Sequence, residues 1–272
     1  MAQVKVMSKI IDCISYNGEE EIWEIRYNIL KDFIDEFRVI EFDKTFSGKP
    51  KEKKFNQNWD KVKHYFITED IWGKYWEEAK KSPNTNYGEG AKHWIREWCM
   101  KESLKDCLTD LDDEDIIYLG DVDELYEWNE LMISGGFNNK AVFKLKLRVY
   151  TYWLNNRSSE EFWGTIASKY KNIKGKCLNE LRTDRNYKTP NEHGYHFTSM
   201  GGYDKVKEKL TDSYTEETYA SKQVLNNLEN NIKENRDFLG RNFIYKIDES
   251  ELPKWLLENK ERYKHLFKPV DK

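Results

Sequence analysis

The order of apolar and polar positions predicts alternating strands and helices in the first half of the chain. A short apolar run at residues 10–15 ends at the turn signal Tyr16-Asn17-Gly18 and is typical of a buried strand. Residues 19–33 carry apolar side chains at helical spacing, with acidic residues in the first turn, where they suit the helix dipole. A second apolar run at 37–42 predicts another strand. This strand–helix–strand order indicates an α/β fold with parallel pairing.

The remaining pattern completes one domain. Alternating apolar and polar residues at 141–153 predict one or two strands with a solvated face. Further strands are predicted around 65–67, 116–119 and 163–170, and helices over 93–108, 203–210, 220–235 and 252–267. Polar stretches at 45–54 and 82–90 are typical of loops. Because no repeat and no composition break marks a linker, we expect a single domain over residues 1–272.

Composition narrows the class of protein. The chain has 272 residues, and an aromatic content of 15% argues against disorder. The net charge of −4, with charges interspersed, does not favour a nucleic-acid partner. No apolar run is long enough for a membrane span, and no signal peptide is recognised. Four widely spaced cysteines without a CxxC motif are expected to be reduced. We therefore expect a cytoplasmic globular protein.

The sharpest chemical feature is the pair Asp121 and Asp123, directly after the predicted strand at residues 116–119. A turn at a strand end can aim both carboxylates at one point, and open α/β sheets bind ligands at such ends. Carboxylate oxygens suit Mg²⁺ or Mn²⁺, which bind one or two carboxylates plus substrate phosphates. The alternative interpretation is a solvated acidic turn, which is common in a chain with 49 acidic residues.

Several sequence blocks occur in a characteristic order along nearly the whole chain. They are Asp12-Cys13, Asn17, Glu19, Glu24-Ile25-Arg26, Asn28, Asp35, Phe37, Val39-Ile40-Glu41, residues 45–51, Trp94, Arg96-Glu97, residues 113–124, residues 194–197, Gly201-Gly202, Lys209 and residues 237–241. With these blocks the chain resembles glycosyltransferase family 17. Its best-known members add N-acetylglucosamine in β-1,4 linkage to the core mannose of N-glycans.

The resemblance implies a GT-A-type fold, with a mostly parallel central sheet flanked by helices. A half of about residues 1–125 would bind the nucleotide sugar, and a half of about 126–272 would bind the acceptor. The implied reaction is metal-dependent and inverting, with a UDP-sugar, expected to be UDP-N-acetylglucosamine, as donor and a glycan as acceptor. Asp123 would bind Mn²⁺ or Mg²⁺, Asp121 would lie near the ribose or the metal, and His196 would complete the metal shell or touch the diphosphate. For His196 the alternative is a structural histidine within an aromatic cluster.

An inverting displacement needs a base, commonly a carboxylate, for the proton of the acceptor hydroxyl. Glu217 matches an acidic residue that the family carries after its Gly-Gly helix, and it is the first candidate. Asp184 and Glu192 are the other two. Each has the alternative interpretation of an ordinary surface acid.

Three residues are candidates for the donor site. Arg26 and Lys101 would bind the diphosphate, although Lys101 stands where the family often has Arg and so lacks the bidentate fork. Glu41 would contact uridine or ribose beside a loop at residues 45–51. The alternatives are a solvated helix charge for Arg26 and Lys101, and a buried acid satisfied by backbone donors for Glu41.

The aromatic residues of the second half have two possible roles. Four aromatic residues there could stack on sugar faces or simply pack in the core, and packing is favoured: Tyr150, Tyr152, Trp153 and Trp163. The chain departs from the family at Tyr195, where a Trp is usual, and at Thr215, where a His is usual. The animal members' membrane anchor is not recognised either. Two other functions stay open, a non-catalytic carbohydrate-binding protein and a metal-dependent phosphohydrolase. The acceptor, the linkage, the exact donor sugar, the choice of metal and the oligomeric state also stay open.

Overall fold

We describe the chain from a computed structural model over residues 8–55, 58–83, 92–127, 142–213 and 221–269. The strands in these ranges are β1 (Ile10–Ser15), β2 (Glu36–Phe42), β3 (Val62–Ile67), β4 (Ile116–Asp121), β5 (Glu124–Tyr126), β6 (Val142–Thr151), β7 (Asn156–Lys169), β8 (Lys188–Thr198) and β9 (Tyr245–Ile247). The α-helices are α1 (Glu20–Leu30), α2 (Glu69–Trp72), α3 (Trp76–Ala79), α4 (Lys92–Ser103), α5 (Tyr170–Ile173), α6 (Leu178–Thr183), α7 (Gly202–Glu208), α8 (Lys222–Lys233) and α9 (Lys254–Glu258).

One mixed sheet organises these elements. Its strand order is β3-β2-β1-β4-β7-β6-β8-β5, and β9 pairs with β7. Strands β3, β2, β1 and β4 are parallel, and so are β6 and β8. Strand β7 is antiparallel to β4, β6 and β9, and β5 is antiparallel to β8. The α/β class is confirmed, whereas the expectation of a mostly parallel sheet is corrected to a mixed one.

The length of the connections explains this correction. Helix α1 returns the chain between β1 and β2, which is the crossover that a parallel pair needs. Strands β6 and β7 are instead joined by residues 152–155, too few for a crossover, and they form an antiparallel hairpin. The first half is therefore a parallel unit, and the second half adds antiparallel strands to its edge.

Most predicted elements are confirmed, with differences at their ends. The helix predicted over 93–108 is α4 followed by a 3₁₀ segment at Leu104–Leu108. The helix predicted over 252–267 breaks after α9, and a 3₁₀ segment follows at Lys260–Leu266. The strand predicted at 163–170 is the end of the longer β7, and residues 195–197, which carried no strand prediction, lie in β8.

The core has a layer on each face of the parallel strands. Strand β1 places Ile11 and Cys13 in one apolar cluster and Ile14 in the other. A strand covered on both faces is apolar nearly throughout, which accounts for the continuous run at 10–15. Two residues of β1 are polar: Ser15 at its end, and Asp12, which is fully buried between Ile11 and Cys13 in the sequence.

The four cysteines form no disulfide bond, as the sequence predicts. All four cysteines are free; Cys13, Cys99 and Cys107 are buried and Cys177 is half-buried. Burial raises the pKa of each thiol above its ordinary value. Within the described residues, none of the helices has the length and apolar character needed to cross a membrane.

Candidate active site

A cavity of about 310 Å³ opens at the carboxyl ends of the parallel strands β1, β2 and β4. Its wall among the described residues is rich in charge of both signs. The acidic residues are Glu19, Glu97, Asp121, Asp123 and Glu124. The basic ones are Lys44, Lys51, Lys101, Arg182 and Lys209. A concave site at this edge of a sheet, with many convergent charges, is typical of a site for a polar, charged ligand.

The loop at residues 120–124, which we call the acidic loop, is held firmly through its backbone. The amide of Val122 donates to the carbonyl of Ser15 at 3.1 Å, and the carbonyl of Asp123 accepts from the amide of Phe197 at 2.9 Å. Gly120 is needed here for space, because a Cβ atom would lie 2.5 Å from the Glu124 carboxylate. Neighbouring strands thus fix the direction of the Asp121 and Asp123 side chains.

Asp121 is engaged by cations on both carboxylate oxygens. Oδ1 accepts from the Lys101 ammonium and from the Ser15 hydroxyl, and Oδ2 lies 3.2 Å from Nη2 of Arg182. Burial would raise the pKa of Asp121, but Lys101 and Arg182 outweigh burial and hold it well below its ordinary value. Asp121 is therefore an anion that organises two cations, and Lys101 lines the cavity.

Asp123 lies beside His196. Asp123 Oδ2 is 3.6 Å from His196 Nε2 and 3.8 Å from the Lys209 ammonium. Burial opposes charge on both partners, yet their attraction lowers the pKa of Asp123 and raises the pKa of His196. The His196 ring also stacks on Phe162, with ring centroids 4.1 Å apart.

The donor chemistry of this pair fits a divalent cation. Mg²⁺ and Mn²⁺ are commonly held by one or two protein carboxylates together with substrate phosphates, and histidine is a common metal ligand. Among the described residues, no group of three or more His, Cys, Asp or Glu side chains is arranged as a metal site. Because both oxygens of Asp121 already contact cations, Asp123 and His196 are the side chains that fit direct ligation.

Arg26 is not part of the cavity wall. It is fully buried and binds Asp12 through two short contacts, Nε to Oδ2 at 2.7 Å and Nη2 to Oδ1 at 2.6 Å. Its Nη1 donates to the carbonyl of Glu124 at 2.7 Å. The sequence around Arg26 did not indicate this ion pair, because Asp12 lies on β1 and not on the helix that carries Arg26. Arg26 supports the backbone of the acidic loop, and the structure does not place it where a diphosphate would bind.

Glu41 is also absent from the cavity wall. Its carboxylate is buried and accepts from the amides of Lys54 at 2.8 Å and Phe55 at 3.1 Å, with His64 at 3.3 Å. Burial raises the pKa of Glu41, but these three donors outweigh burial and hold it below its ordinary value. The geometry matches the alternative of a buried acid satisfied by backbone donors.

The two described candidate bases, Asp184 and Glu192, lie away from the cavity. Asp184 accepts from the amide of Asn186 at 2.8 Å and caps a 3₁₀ turn, whereas Glu192 pairs with Arg157 at 2.7 Å. Neither lines the cavity. The prediction for Glu217 lies outside the described residues. Two carboxyls that the sequence analysis did not select, Glu19 and Glu97, do line the cavity, and burial raises the pKa of each.

The aromatic residues of the second half divide between core and surface. Tyr150 and Tyr152 are fully buried in apolar clusters. Trp163 is partly buried and donates from its indole to the carbonyl of Thr189 at 2.9 Å. None of these three, nor Trp153, lines the cavity. Core packing therefore accounts for the two tyrosines, as the sequence analysis favoured.

Four residues of the cavity wall were not predicted as site residues, although they stand in the blocks on which the family resemblance depends. They are Glu19, Lys51, Glu97 and Lys209. Arg182 stands outside every block, so only the fold brings it to Asp121.

Comparisons with known proteins show the family of the chain. Residues 2–229 match the family model described as glycosyltransferase family 17. The chain therefore belongs to glycosyltransferase family 17, and it is a transferase. Among solved structures, the chain matches the apo form of mouse xyloside xylosyltransferase 1, with 10% sequence identity and a TM-score of 0.34 over 67% of this chain and 71% of that one. No curated protein matches the chain.

Proposed function

We propose that the chain is a metal-dependent, inverting glycosyltransferase of GT-A type. It would move a sugar, expected to be N-acetylglucosamine, from a UDP-sugar to a hydroxyl of a glycan acceptor. The observation that carries this proposal is the pairing of Asp123 with His196 beside the Asp121–Lys101–Arg182 cluster in one cavity. The first half of the chain would bind the donor, and the second half would bind the acceptor.

The charge of the cavity supports a divalent cation. In their ionised forms, the five acidic and five basic residues of the described wall cancel. A donor diphosphate adds two negative charges to this balanced site, and Mn²⁺ or Mg²⁺ would offset them. Asp123 and His196 would hold the ion. When bound, it would supply electrostatic stabilisation of the charge that develops on the departing UDP.

Lys101 would help to position the donor, and His196 would take part in metal binding only without its proton on Nε2. Lys101 lies 3.1 Å from the Ser15 hydroxyl and is held at Asp121, so its charge faces the site that would bind the diphosphate. His196 must be unprotonated at Nε2 to ligate a metal, so binding of the ion would compete with protonation of this nitrogen.

The base would be a carboxylate near the acceptor hydroxyl. Glu217 stays the candidate from the sequence, and Glu19 and Glu97 join it because each lines the cavity with a raised pKa. A raised pKa suits a group that must accept a proton near neutral pH. Each glutamate is replaced by glutamine, and both UDP binding and sugar transfer are measured. The base is the glutamate whose replacement abolishes transfer and leaves UDP binding intact.

The test of the function is donor hydrolysis. UDP-sugars and GDP-sugars are each incubated with Mn²⁺, Mg²⁺ or EDTA, while free nucleotide and UDP binding are measured on the same samples. We expect slow release of UDP from one donor, abolished by EDTA. UDP binding without release would indicate a strict need for acceptor. Binding of glycans with no nucleotide binding would contradict the proposal and favour a carbohydrate-binding protein.

A further inference from the structure

We propose that Arg182 is a binding residue for the donor diphosphate, and that it exchanges its contacts with Asp121 and Glu124 for contacts with phosphate oxygens. This inference rests on the proposed function, because it assumes that a nucleoside diphosphate occupies the cavity. It adds a residue to the site that no sequence block indicated.

The guanidinium of Arg182 is only half satisfied. Nη2 lies 3.2 Å from Asp121 Oδ2 and 3.4 Å from Glu124 Oε1. Nη1 is buried and has no hydrogen-bond acceptor among the described residues. A buried donor without an acceptor is unfavourable, so Arg182, which lines the cavity, favours an anionic acceptor that enters there.

A phosphate is the acceptor that suits this group. The planar guanidinium presents paired donors that match two phosphate oxygens, and such charge-assisted bonds are strong. The backbone of Arg182 is anchored, because its carbonyl accepts from the Lys144 ammonium. The side chain can therefore turn toward a ligand while the end of α6 stays in place.

The exchange leaves neither carboxylate without a partner. Asp121 keeps Lys101 and the Ser15 hydroxyl on Oδ1. Glu124 keeps the Thr165 hydroxyl at 3.1 Å and the amide of Asp121 at 3.3 Å. Because each acid retains donors, moving Arg182 costs less than breaking an isolated buried ion pair.

Arg157 offers a matched control. Its side chain is 21% exposed, against 20% for Arg182, and each arginine pairs with a glutamate or aspartate through Nη2. Nη1 of Arg157 is likewise buried without an acceptor among the described residues. Arg157 differs in its place, since it does not line the cavity.

The experiment compares the binding of UDP with that of uridine, because only UDP carries the diphosphate. Affinities are measured by titration calorimetry on the full chain, in EDTA and in Mn²⁺, for the unchanged protein and for Arg182→Gln, Arg182→Lys and Arg157→Gln. We expect Arg182→Gln to weaken UDP binding at least tenfold and uridine binding less than twofold. Arg182→Lys should fall between, and Arg157→Gln should change neither affinity.

The outcomes separate this inference from the proposed function. If Arg182→Gln keeps the unchanged ratio of UDP to uridine affinity, Arg182 does not bind the diphosphate, although the chain still binds UDP. If the unchanged protein binds neither ligand, the proposed function fails and this inference fails with it. Thermal unfolding is recorded for each variant. Should Arg182→Gln not fold, Arg182→Lys decides: an unchanged UDP affinity overturns the inference, and a selective loss supports it.

Discussion

Two arginines contact the acidic loop from two different regions of the molecule, and they differ in how completely they are satisfied. Arg26, a buried residue of α1, binds Asp12 of β1 with two nitrogens and the carbonyl of Glu124 with the third. Arg182, at the cavity, binds carboxylates through one nitrogen, and its Nη1 has no acceptor among the described residues.

The difference separates a structural role from a binding role. A buried charge with all its donors used stabilises the fold, and additional acceptors offer it nothing. A charge at a cavity with a donor left over is stabilised by a ligand. The type of residue does not distinguish the two roles, since both are arginines with acidic partners.

The largest effect is expected in the core. Arg26→Ala would leave Asp12 buried without its cation and should lower the free energy of unfolding by about 3–5 kcal/mol. Urea unfolding monitored by tryptophan fluorescence measures this loss. The double variant Asp12→Leu with Arg26→Met, which removes both charges, should recover much of it. A loss under about 1 kcal/mol for Arg26→Ala would contradict the structural role.

Next in size is the expected effect at Asp123, one of the two proposed metal ligands. Asp123→Ala removes the carboxylate beside His196 and should reduce transfer by about a hundredfold or more, because charge on the departing UDP is no longer offset. Release of UDP in the presence of acceptor and Mn²⁺ measures this loss. If the variant's transfer rate stays within a few-fold of that of the unchanged protein, Asp123 has no role in transfer.

Glu41 provides a smaller effect that depends on pH. Glu41→Gln weakens the bonds from Lys54, Phe55 and His64, and we expect a loss of about 1–3 kcal/mol at pH 7. Because the pKa of Glu41 is lower in the folded chain, its stabilisation is present above its ordinary pKa and is lost as the pH falls through the folded value.

The stability difference between Glu41→Gln and the unchanged protein should therefore narrow in acid, as urea unfolding at several pH values would measure. UDP binding per folded molecule should stay unchanged, since Glu41 does not line the cavity. A constant difference across the acid range would show that the carboxylate's charge does not matter.

The smallest effects are expected at the two described carboxylates that were candidate bases. Asp184→Asn and Glu192→Gln should each change transfer by less than about twofold, because Asp184 caps a turn and Glu192 pairs with Arg157 away from the cavity. Initial rates of UDP release at saturating donor measure this. If the transfer rate of either variant falls tenfold or more while the fold is intact, that residue is again a candidate for the base.

Local patterns predicted the elements and the acidic loop well. The continuous apolar run of β1 and the helical spacing of α1 depend on neighbours a few residues away, and the structure confirms both. The strand directions in the sheet were harder to predict. The antiparallel pairing of β6 and β7 follows from a short connection, and the sequence pattern did not show its exact length.

The sequence by itself determined the α/β class, the position of Asp121 and Asp123 at the end of a buried strand, and membership of the family. Only the tertiary structure decided that Arg26 binds Asp12, that Glu41 is satisfied in the core, and that Arg182 reaches Asp121. The physical reason is range. Helix and strand patterns repeat within a few residues, whereas the partner of a charge is chosen by which distant segments the sheet brings together, and 61 positions separate Arg182 from Asp121.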